Sequence, residues 1–355
     1  MVLKYPCVEI NLNKITHNVE LLSKLCNSSG ITIVGVSKVF CSEKPIVDAM
    51  LKGGIKSIAD SRIENLMKIN EFHCKKYLLR IPMQSETNEV VAFSDVSLNS
   101  EIDTIKKLAI ASKKLNKVHG IILMIDLGDL REGILEKNAL NISREILELS
   151  NVDLCGIGTN LTCYGGVIPD ETNIGELLQI KTQLENALEI KLPIVSGGNS
   201  SSLYMVINNT MPSGITQLRL GEAIILGRET AFGNDIAGCY KDSFIIKGEI
   251  IEIKEKPSIP TGKIGIDAFG NKPTFKDKGI MNRAIIALGR QDINPDGLFP
   301  LDHNVEIIGA SSDHLILDIT KCPVSYKIGD IMEFTMDYGC ILKSMTSPYV
   351  KKKYI

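Results

Sequence analysis

Residues 31–40, ITIVGVSKVF, decide the fold, because this run predicts a buried strand that ends on a charged residue. Apolar residues lead up to Gly35, and Val36 and Ser37 precede Lys38. Continuous apolar runs are typical of parallel strands covered on both faces. Enzymes with such strands carry their chemistry at the carboxyl ends, where a shielded lysine loses its charge readily and can attack a carbonyl. Lys38 is therefore a candidate nucleophile, and a lysine that caps the strand and reaches into water is the simpler alternative.

The composition limits the class of protein. The chain has 355 residues, 44% of them hydrophobic, and because single cores stop growing at about 250 to 300 residues we expect two domains. A net charge of −2 argues against nucleic acid or an anionic membrane as the main partner, and no apolar run approaches the roughly 18 residues of a membrane span. Nine cysteines without CxxC pairing and the lack of a signal-peptide core predict reduced thiols and a cytoplasmic protein. Neither His-x-Cys nor HExxH occurs, so a metal site has little support.

Strand and helix patterns alternate along most of the chain. Asn13 is expected to cap a first helix, and eight strand patterns then follow, with helix patterns between most of them. The strands are predicted over residues 31–40, 56–59, 77–81, 96–98, 120–126, 154–158, 193–196 and 217–220. Eight strands within roughly 200 residues predict a (β/α)8 barrel, and an open doubly wound sheet is the alternative.

The pattern changes near Gly233. Strand-rich runs at 244–253, 283–288, 305–308, 315–319 and 331–336 are broken by Gly, Pro and Asn clusters and show no helical periodicity. The sequence therefore predicts the α/β class, with an N-terminal TIM-like barrel over 1–232 and a C-terminal all-β domain over 233–355. A strand pattern at 8–12 precedes the barrel, and residues 1–12 are a candidate to pair with the β domain.

Two of the predicted strand ends suit anion binding. Residues 196–202, SGGNSSS, combine two glycines with a helix start, and Asn199 and Ser200 add side-chain donors, an arrangement that suits a phosphate. A glycine turn with a serine cap is the simpler alternative. In residues 217–221, QLRLG, Arg219 lies among apolar neighbours. A buried arginine needs hydrogen-bond acceptors that match the fixed, planar geometry of its N–H donors.

Two further strand ends carry weaker signals. Residues 124–133, MIDLGDLREG, place Arg131 just past the fifth strand, where a surface ion pair with Asp129 or Glu132 explains it equally well. Residues 158–164, GTNLTCY, leave Thr159 and Asn160 at the end of the sixth strand.

Taken in order, these stretches resemble the alanine racemase superfamily of pyridoxal-phosphate enzymes, most closely its ornithine racemase branch. The resemblance runs through YPCVEINL, GVSKVF, DLGDLREG, SGGNSS, LRLGEAI, ALGRQDI, GASSDHL and MTSPYV, and so covers essentially the whole chain. It implies an amino-acid racemase that holds pyridoxal 5'-phosphate covalently through Lys38. The implied contacts to the phosphate are Asn199, Ser200, the backbone at Gly221 and Glu222, and Tyr349; Arg131 and Asn160 are implied to lie beside the ring and its hydroxyl.

The resemblance also places Arg219 opposite the pyridine nitrogen. Because arginine is only a donor, it would keep that nitrogen unprotonated and make the cofactor a weaker electron sink. This favours proton exchange at the substrate α-carbon, hence racemisation rather than transamination, with Lys38 as the base on one face.

The chain departs from this family at the second base. Alanine racemases use a tyrosine from the partner subunit's β domain, which implies a homodimer, but the matching stretch 287–292, ALGRQD, has Arg290. Either another group supplies the opposite face or the arginine is recruited, so the second base is unassigned, with Asp313 and His314 as the first candidates. The branch implies a basic amino acid, whose side-chain ammonium needs a carboxylate or several carbonyl acceptors in a partly desolvated pocket. The candidate carboxylates are Asp292, Asp296, Asp302 and Asp313, and turn caps are their alternative role.

Two rival functions share parts of these patterns. A pyridoxal-phosphate lyase of the D-threonine aldolase or D-serine dehydratase type has this fold, but that family carries a metal-binding His-x-Cys, which is missing here. A non-catalytic cofactor-handling protein also shows a V-S-K strand, but it consists of the barrel alone. Racemases that act on alanine, serine or lysine remain alternatives for the substrate.

Overall fold

The computed structural model describes residues 4–270 and 272–355. They form two compact units: Leu12–Lys241, and the N-terminal residues through Asn11 with Asp242–Ile355. The first unit therefore extends past the predicted end at residue 232. Buried Asn18 provides one reason, because its side chain donates to Tyr240 O (2.8 Å) and accepts from Tyr240 N (2.7 Å), which ties this late segment to the first helix.

Eight parallel strands close the first unit into a barrel, which confirms the predicted fold class. Each strand pairs with the next, and the last pairs with the first. The strands are β2 (Thr32–Val36), β3 (Ser57–Asp60), β4 (Lys75–Leu78), β5 (Val96–Asn99), β6 (His119–Met124), β7 (Val152–Gly158), β8 (Ile194–Ser196) and β9 (Gln217–Leu220). All eight overlap the predicted strand runs.

Helices precede, connect and follow the strands of the barrel. They are α1 (Leu12–Asn27), α2 (Lys44–Lys52), α3 (Ile63–Lys68), α4 (Thr87–Phe93), α5 (Ile102–Lys114), α6 (Glu136–Leu147), α7 (Glu171–Leu188), α8 (Leu203–Ile207) and α9 (Glu222–Leu226). Asn13 lies inside α1 and does not cap it, since the helix begins one residue earlier. The sequence pattern did not predict α4, which spans only two turns and buries Val90 and Val91.

The barrel interior explains why these segments are strands. Its core cluster consists of Val34, Val36, Ala59, Tyr77, Val96, Leu98, Ile122 and Met124. These residues come from five of the eight strands, and most of them are β-branched, aromatic or long apolar side chains that fill a pleated, fully covered surface. Burying each large side chain contributes roughly 1.5–3 kcal/mol, so the closed sheet is the main stabilising element of this unit.

The second unit is built on an eight-stranded sheet. Its strands are β1 (Cys7–Ile10), β10 (Phe244–Pro257), β11 (Ile280–Ile286), β12 (Leu298–Pro300), β13 (Glu306–Ala310), β14 (Leu315–Asp318), β15 (Ile331–Met336) and β16 (Lys351–Tyr354). β1 pairs antiparallel with β10 and parallel with β16, so the N-terminal strand belongs to this unit. One helix that the pattern did not predict, α10 (Tyr338–Thr346), joins the sheet, and Asp337 caps it by accepting from Cys340 N at 2.7 Å. Across the two described ranges, no helix is long and apolar enough to cross a membrane.

A buried histidine makes the barrel sensitive to acid. His119 is 1% exposed, its Nε2 lies 2.8 Å from Ser97 Oγ, and burial lowers its pKa to about 4. In the unfolded chain the pKa is about 6.5. Between these values the unfolded chain binds a proton that the folded chain does not, so the free energy of unfolding falls as the pH falls.

We predict that lowering the pH from 7 to 5 reduces the free energy of unfolding by about 2 kcal/mol through this group, and that His119→Gln removes that part of the pH dependence. Urea unfolding at both pH values measures it. His73→Gln, at an exposed histidine of the same unit, is the matched control and should behave as wild type. An unchanged pH dependence in His119→Gln would contradict the prediction.

Candidate active site at the carboxyl ends of the barrel strands

Lys38 lies just beyond the end of β2. It begins a short 3-10 turn, Lys38–Phe40, whose Val39 and Phe40 are buried while Lys38 itself is exposed. In the single chain Lys38 is therefore open to solvent, while the two residues after it are buried. Among the described residues its Nζ has no hydrogen-bond or ion-pair partner. The amine is thus accessible at the edge of the barrel where parallel strands place reactive groups.

Arg219 on β9 is buried, with 4% of its surface exposed. Its guanidinium donates to Ser196 Oγ at the end of β8 and to Thr159 O past β7, the latter at 2.8 Å. A longer contact of 3.4 Å reaches Asn160 Oδ1. These acceptors are all neutral, so among the described residues the cation has hydrogen bonds but no counter-charge in contact. Burial lowers its pKa to about 10, and Arg219 still carries its charge at neutral pH.

The serine-rich loop and the start of α9 come together. Ser200 Oγ accepts from Ala223 N at 3.2 Å, which places residues 196–202 beside Gly221 and Glu222. Gly198 adopts φ +114°, and a Cβ there would lie 2.5 Å from Ser202 Oγ, so this position requires glycine. The predicted grouping of these residues is therefore present in the structure. The predicted contact at Glu222 is made by its backbone. Its side chain instead accepts from Arg228 Nε at 2.7 Å.

Asn199 joins two strand ends rather than offering a free amide. Its Oδ1 accepts from Ser201 N at 2.7 Å, and its Nδ2 donates to Asn160 Oδ1 (3.1 Å) and Leu161 O (3.0 Å). Asn160, predicted only weakly from sequence, thus touches both Asn199 and Arg219.

Several buried polar atoms near Arg219 and the serine-rich loop have no hydrogen-bond partner. Within residues 4–270 and 272–355 these include Thr159 Oγ1, Asn160 Nδ2 and Ser201 Oγ. Burying such a group unpaired costs free energy, and each unpaired group in a folded protein needs an explanation. Two hydroxyls and an amide donor beside a buried guanidinium suit a polar, anionic ligand.

Arg131 pairs with its neighbour Glu132, the second of its two predicted surface partners. The other, Asp129, does something the sequence did not reveal: it is 1% exposed and accepts from Tyr164 N (3.0 Å) and Val167 N (3.3 Å). Asp129 therefore joins the loop after β6 to the loop after β7. Arg131 lies on the first of these two loops, and its side chain is 41% exposed.

The remaining predicted residues belong to the second unit. Asp313 and His314 are exposed on the turn between β13 and β14, and Tyr349 is 60% exposed. Arg290 N donates to Ser311 O at 2.8 Å, so the 287–292 loop packs beside this turn. The two loops that the sequence linked are neighbours in the structure.

The four candidate aspartates separate into two pairs. Asp292 is buried and accepts from Ser347 Oγ (2.6 Å), and Asp302 accepts from Asn304 N (2.9 Å) and Tyr326 Oη (2.6 Å). Asp302 thus has the turn role that was the alternative for all four, whereas Asp292 joins its loop to Ser347, the residue that follows α10. Asp296 and Asp313 are exposed, and Asp313 accepts from Ser312 Oγ at 2.7 Å. No group of three His, Cys, Asp or Glu that could hold a metal occurs in the part of the chain that is described.

Comparison with known proteins identifies relatives over the whole chain. The family model described as alanine racemase, N-terminal domain, matches residues 10–229. The chain is 49% identical to an ornithine racemase of Acetoanaerobium sticklandii over 352 residues, which are 99% of this chain and 100% of that protein. It is 43% identical to a lysine racemase of Thermotoga maritima over 352 residues, 99% of this chain and 98% of the relative.

The fold matches a solved structure as well. An alanine racemase from Bartonella henselae with covalently bound pyridoxal phosphate superposes with a TM-score of 0.76, covering 99% of this chain and 100% of that one. At 18% identity this likeness concerns the fold alone.

Proposed function

The chain belongs to the alanine racemase family, and from this we propose that it is a pyridoxal-phosphate-dependent amino-acid racemase, an isomerase, that acts on ornithine. The observation that carries the proposal is the grouping at one barrel rim of an exposed lysine, a buried arginine with neutral acceptors only, and a glycine-serine loop. Identity of 49% to an ornithine racemase over the whole chain supports the substrate.

The rim residues fit pyridoxal phosphate. Gly198 lets the backbone approach a ligand, Ser201 Oγ is an unpaired buried hydroxyl, and Ser200 with the first residues of α9 adds polar groups suited to a phosphate. Asn199 and the backbone at Gly221 and Glu222 complete the proposed phosphate contacts on this unit. Lys38 would bind the cofactor covalently, and Asn160 and Arg131 would lie beside its ring.

Arg219 would set the chemistry. When bound, pyridoxal phosphate stabilises the negative charge that develops at the substrate α-carbon as its proton leaves. A guanidinium donates hydrogen bonds and accepts none, so Arg219 would hold a ring nitrogen in its unprotonated form. Three hydrogen-bond acceptors fix the orientation of the Arg219 guanidinium. Its burial would exclude water from the contact with the ring nitrogen.

Lys38 would exchange the α-proton on one face of the substrate. An amine is a base only when neutral, and the open position of Lys38 lets it reach the α-carbon without breaking another contact. Racemisation then needs a second proton donor and acceptor on the opposite face.

For the opposite face we propose Asp313 or His314, supplied by the partner of a homodimer. Both are exposed on one turn, and the adjacent loop carries Arg290 where the resemblance to alanine racemases implies a tyrosine. Light scattering at assay concentration tests the dimer, and a fully active monomer would rule it out.

The nine cysteines are all free, which supports a reducing, cytoplasmic location.

The proposed substrate class is the diamino acids. The two relatives are named for ornithine and lysine, which share three charged groups and differ by one methylene. A side-chain ammonium entering the site needs a carboxylate, and Asp296 and Asp313 are the exposed ones among the four candidates. The lyase alternative is weaker, because the relatives at 49% and 43% identity are both named racemases, whereas a D-threonine aldolase shares the fold at only 10% identity.

Covalent attachment at Lys38 is the first prediction. Borohydride reduction of protein loaded with pyridoxal phosphate should fix the cofactor to the peptide containing Lys38, as measured by mass spectrometry, and Lys38→Ala should lose both this product and racemisation. Lys44→Ala, at an exposed lysine paired with Glu71 (2.7 Å), is the control and should retain both. Full racemase activity in Lys38→Ala would refute the assignment.

The second base is tested by isotope exchange in deuterium oxide. Replacing it should leave α-proton exchange for the enantiomer that Lys38 deprotonates, while inversion and exchange of the other enantiomer both fall, about 100-fold or more. Asp313→Asn and His314→Gln separate the candidates, and His303→Gln, at another exposed histidine of this unit, is the control. If both variants racemise at the wild-type rate, neither residue is the base.

Turnover of ornithine, lysine, alanine and serine tests the substrate. We expect ornithine first and lysine second, with alanine and serine poor, because one methylene changes the transition-state free energy by about 1–3 kcal/mol and loss of the ammonium removes a charge contact altogether. Alanine turning over faster than both diamino acids would exclude the proposed substrate class and leave the family assignment intact.

A further inference from the structure

Asp60, the last residue of β3, is a buried carboxylate with no role in the chemistry described above. It is 0% exposed, yet four donors reach it. Its Oδ2 accepts from Ser37 Oγ (2.8 Å) and Ser42 Oγ (3.1 Å), and its Oδ1 accepts from Arg62 N (2.9 Å) and Asn65 Nδ2 (3.1 Å). The two oxygens therefore face different segments of the chain.

One of these segments carries the reactive lysine. Ser37 immediately precedes Lys38, and Ser42 closes the turn that follows it. The two hydroxyls also lie 2.7 Å apart, so Ser37, Ser42 and Asp60 Oδ2 form a closed triangle beneath Lys38. The donors on Oδ1 come from α3 and the residue before it, which fix the carboxylate to its own loop.

The backbone of this turn needs support. Cys41 and Ser42 both have φ of 53°, a left-handed conformation that residues with a side chain adopt at a cost. Lys68 of α3 donates to Cys41 O at 3.1 Å and to Asn65 Oδ1 at 3.1 Å, so α3 holds the turn at a second point. Without these bonds the turn would relax toward the right-handed region and carry Lys38 with it.

We propose that Asp60 is the positioning residue for Lys38, holding the backbone on both sides of it so that the amine meets the cofactor and the substrate α-carbon in a fixed direction. This inference rests on the proposed function, in which Lys38 is the reacting amine. Asp60 itself touches neither reactant.

A carboxylate is required here because all four neighbours donate. An asparagine would present one acceptor and one donor group. Arg62 N and Asn65 Nδ2 can only donate, so its NH₂ would face the two hydroxyls, which would have to reverse direction and accept. Burial raises the pKa of Asp60, and its four hydrogen bonds oppose that shift. Asp60→Asn therefore keeps the volume of the side chain, removes its negative charge, and reverses or loses both hydrogen bonds to Ser37 and Ser42.

The test compares Asp60→Asn with wild type in two measurements. The first is hydrogen exchange of amides 38–42 in the cofactor-free protein, which should become at least about tenfold faster. The second is the rate at which pyridoxal phosphate becomes borohydride-stable on Lys38, which should fall about tenfold or more, since small misplacements of a reacting group have effects of this size. Unchanged values in both would overturn the proposal.

Glu185→Gln is the matched control. Its carboxylate accepts from Leu192 N (2.8 Å) and Lys181 Nζ (2.9 Å) in the same unit, so the variant loses a comparable anchorage away from the rim. It should leave both measurements at wild-type values. If Glu185→Gln slows attachment as much as Asp60→Asn does, the effect is general destabilisation and the proposal is wrong.

If Asp60→Asn does not fold, Ser42→Ala provides a second variant. It removes one donor and should change both measurements in the same direction, about threefold, whereas wild-type behaviour in this variant would overturn the proposal. A wild-type protein that attaches no pyridoxal phosphate would instead refute the proposed function, and exchange at 38–42 would still report whether Asp60 holds the turn.

Discussion

Burying the Arg219 guanidinium is the constraint on which the rim of the barrel depends. A charge removed from water without a counter-ion is costly, and hydrogen bonds to neutral groups offset only part of that cost. The acceptors come from the ends of β7 and β8, so these strands must end in register with β9. Asn160, one of those acceptors, is in turn held by Asn199. The glycine-serine loop is therefore connected to the Arg219 cation through Asn199 and Asn160.

The strands of the barrel could be predicted because of where they lie. A parallel strand covered on both faces is mostly apolar, and runs such as 31–36 favour this interpretation. Short elements carry less information: α4 has seven residues, too few for a helical period to show. α10 was missed although Asp337 is a typical N-cap, because the surrounding stretch predicts strands. The end of the first unit at Lys241 depends on the contact of Asn18 with Tyr240, which sequence spacing cannot reveal.

The residues at the rim were predictable as a set, and their partners were not. Lysine, arginine and a glycine-serine loop at strand ends are visible in sequence, because each follows an apolar run. Whether Arg131 pairs with Asp129 or Glu132 depends on loop geometry, and the structure assigns Asp129 to two backbone amides instead. Asp60 gave no signal as a partner of the lysine turn, since an aspartate followed by a serine before a helical pattern predicts a local cap. A residue that anchors another segment is recognised only once the two are seen together.

The position of β1 has a consequence for how the chain assembles during synthesis. β1 lies between β10 and β16, so the first unit is an insertion between two neighbouring strands of the second. Pairing β1 with β10 across more than 200 intervening residues would cost on the order of 5 kcal/mol of chain entropy if those residues were unfolded. A folded barrel removes most of this cost, because Asn18 already holds Tyr240 beside α1, and Asn11 then donates to Ser243 O at 2.9 Å. The barrel thus acts as a template that brings two distant strands of another sheet within reach, and that sheet is completed only when the ribosome has delivered residues 351–354.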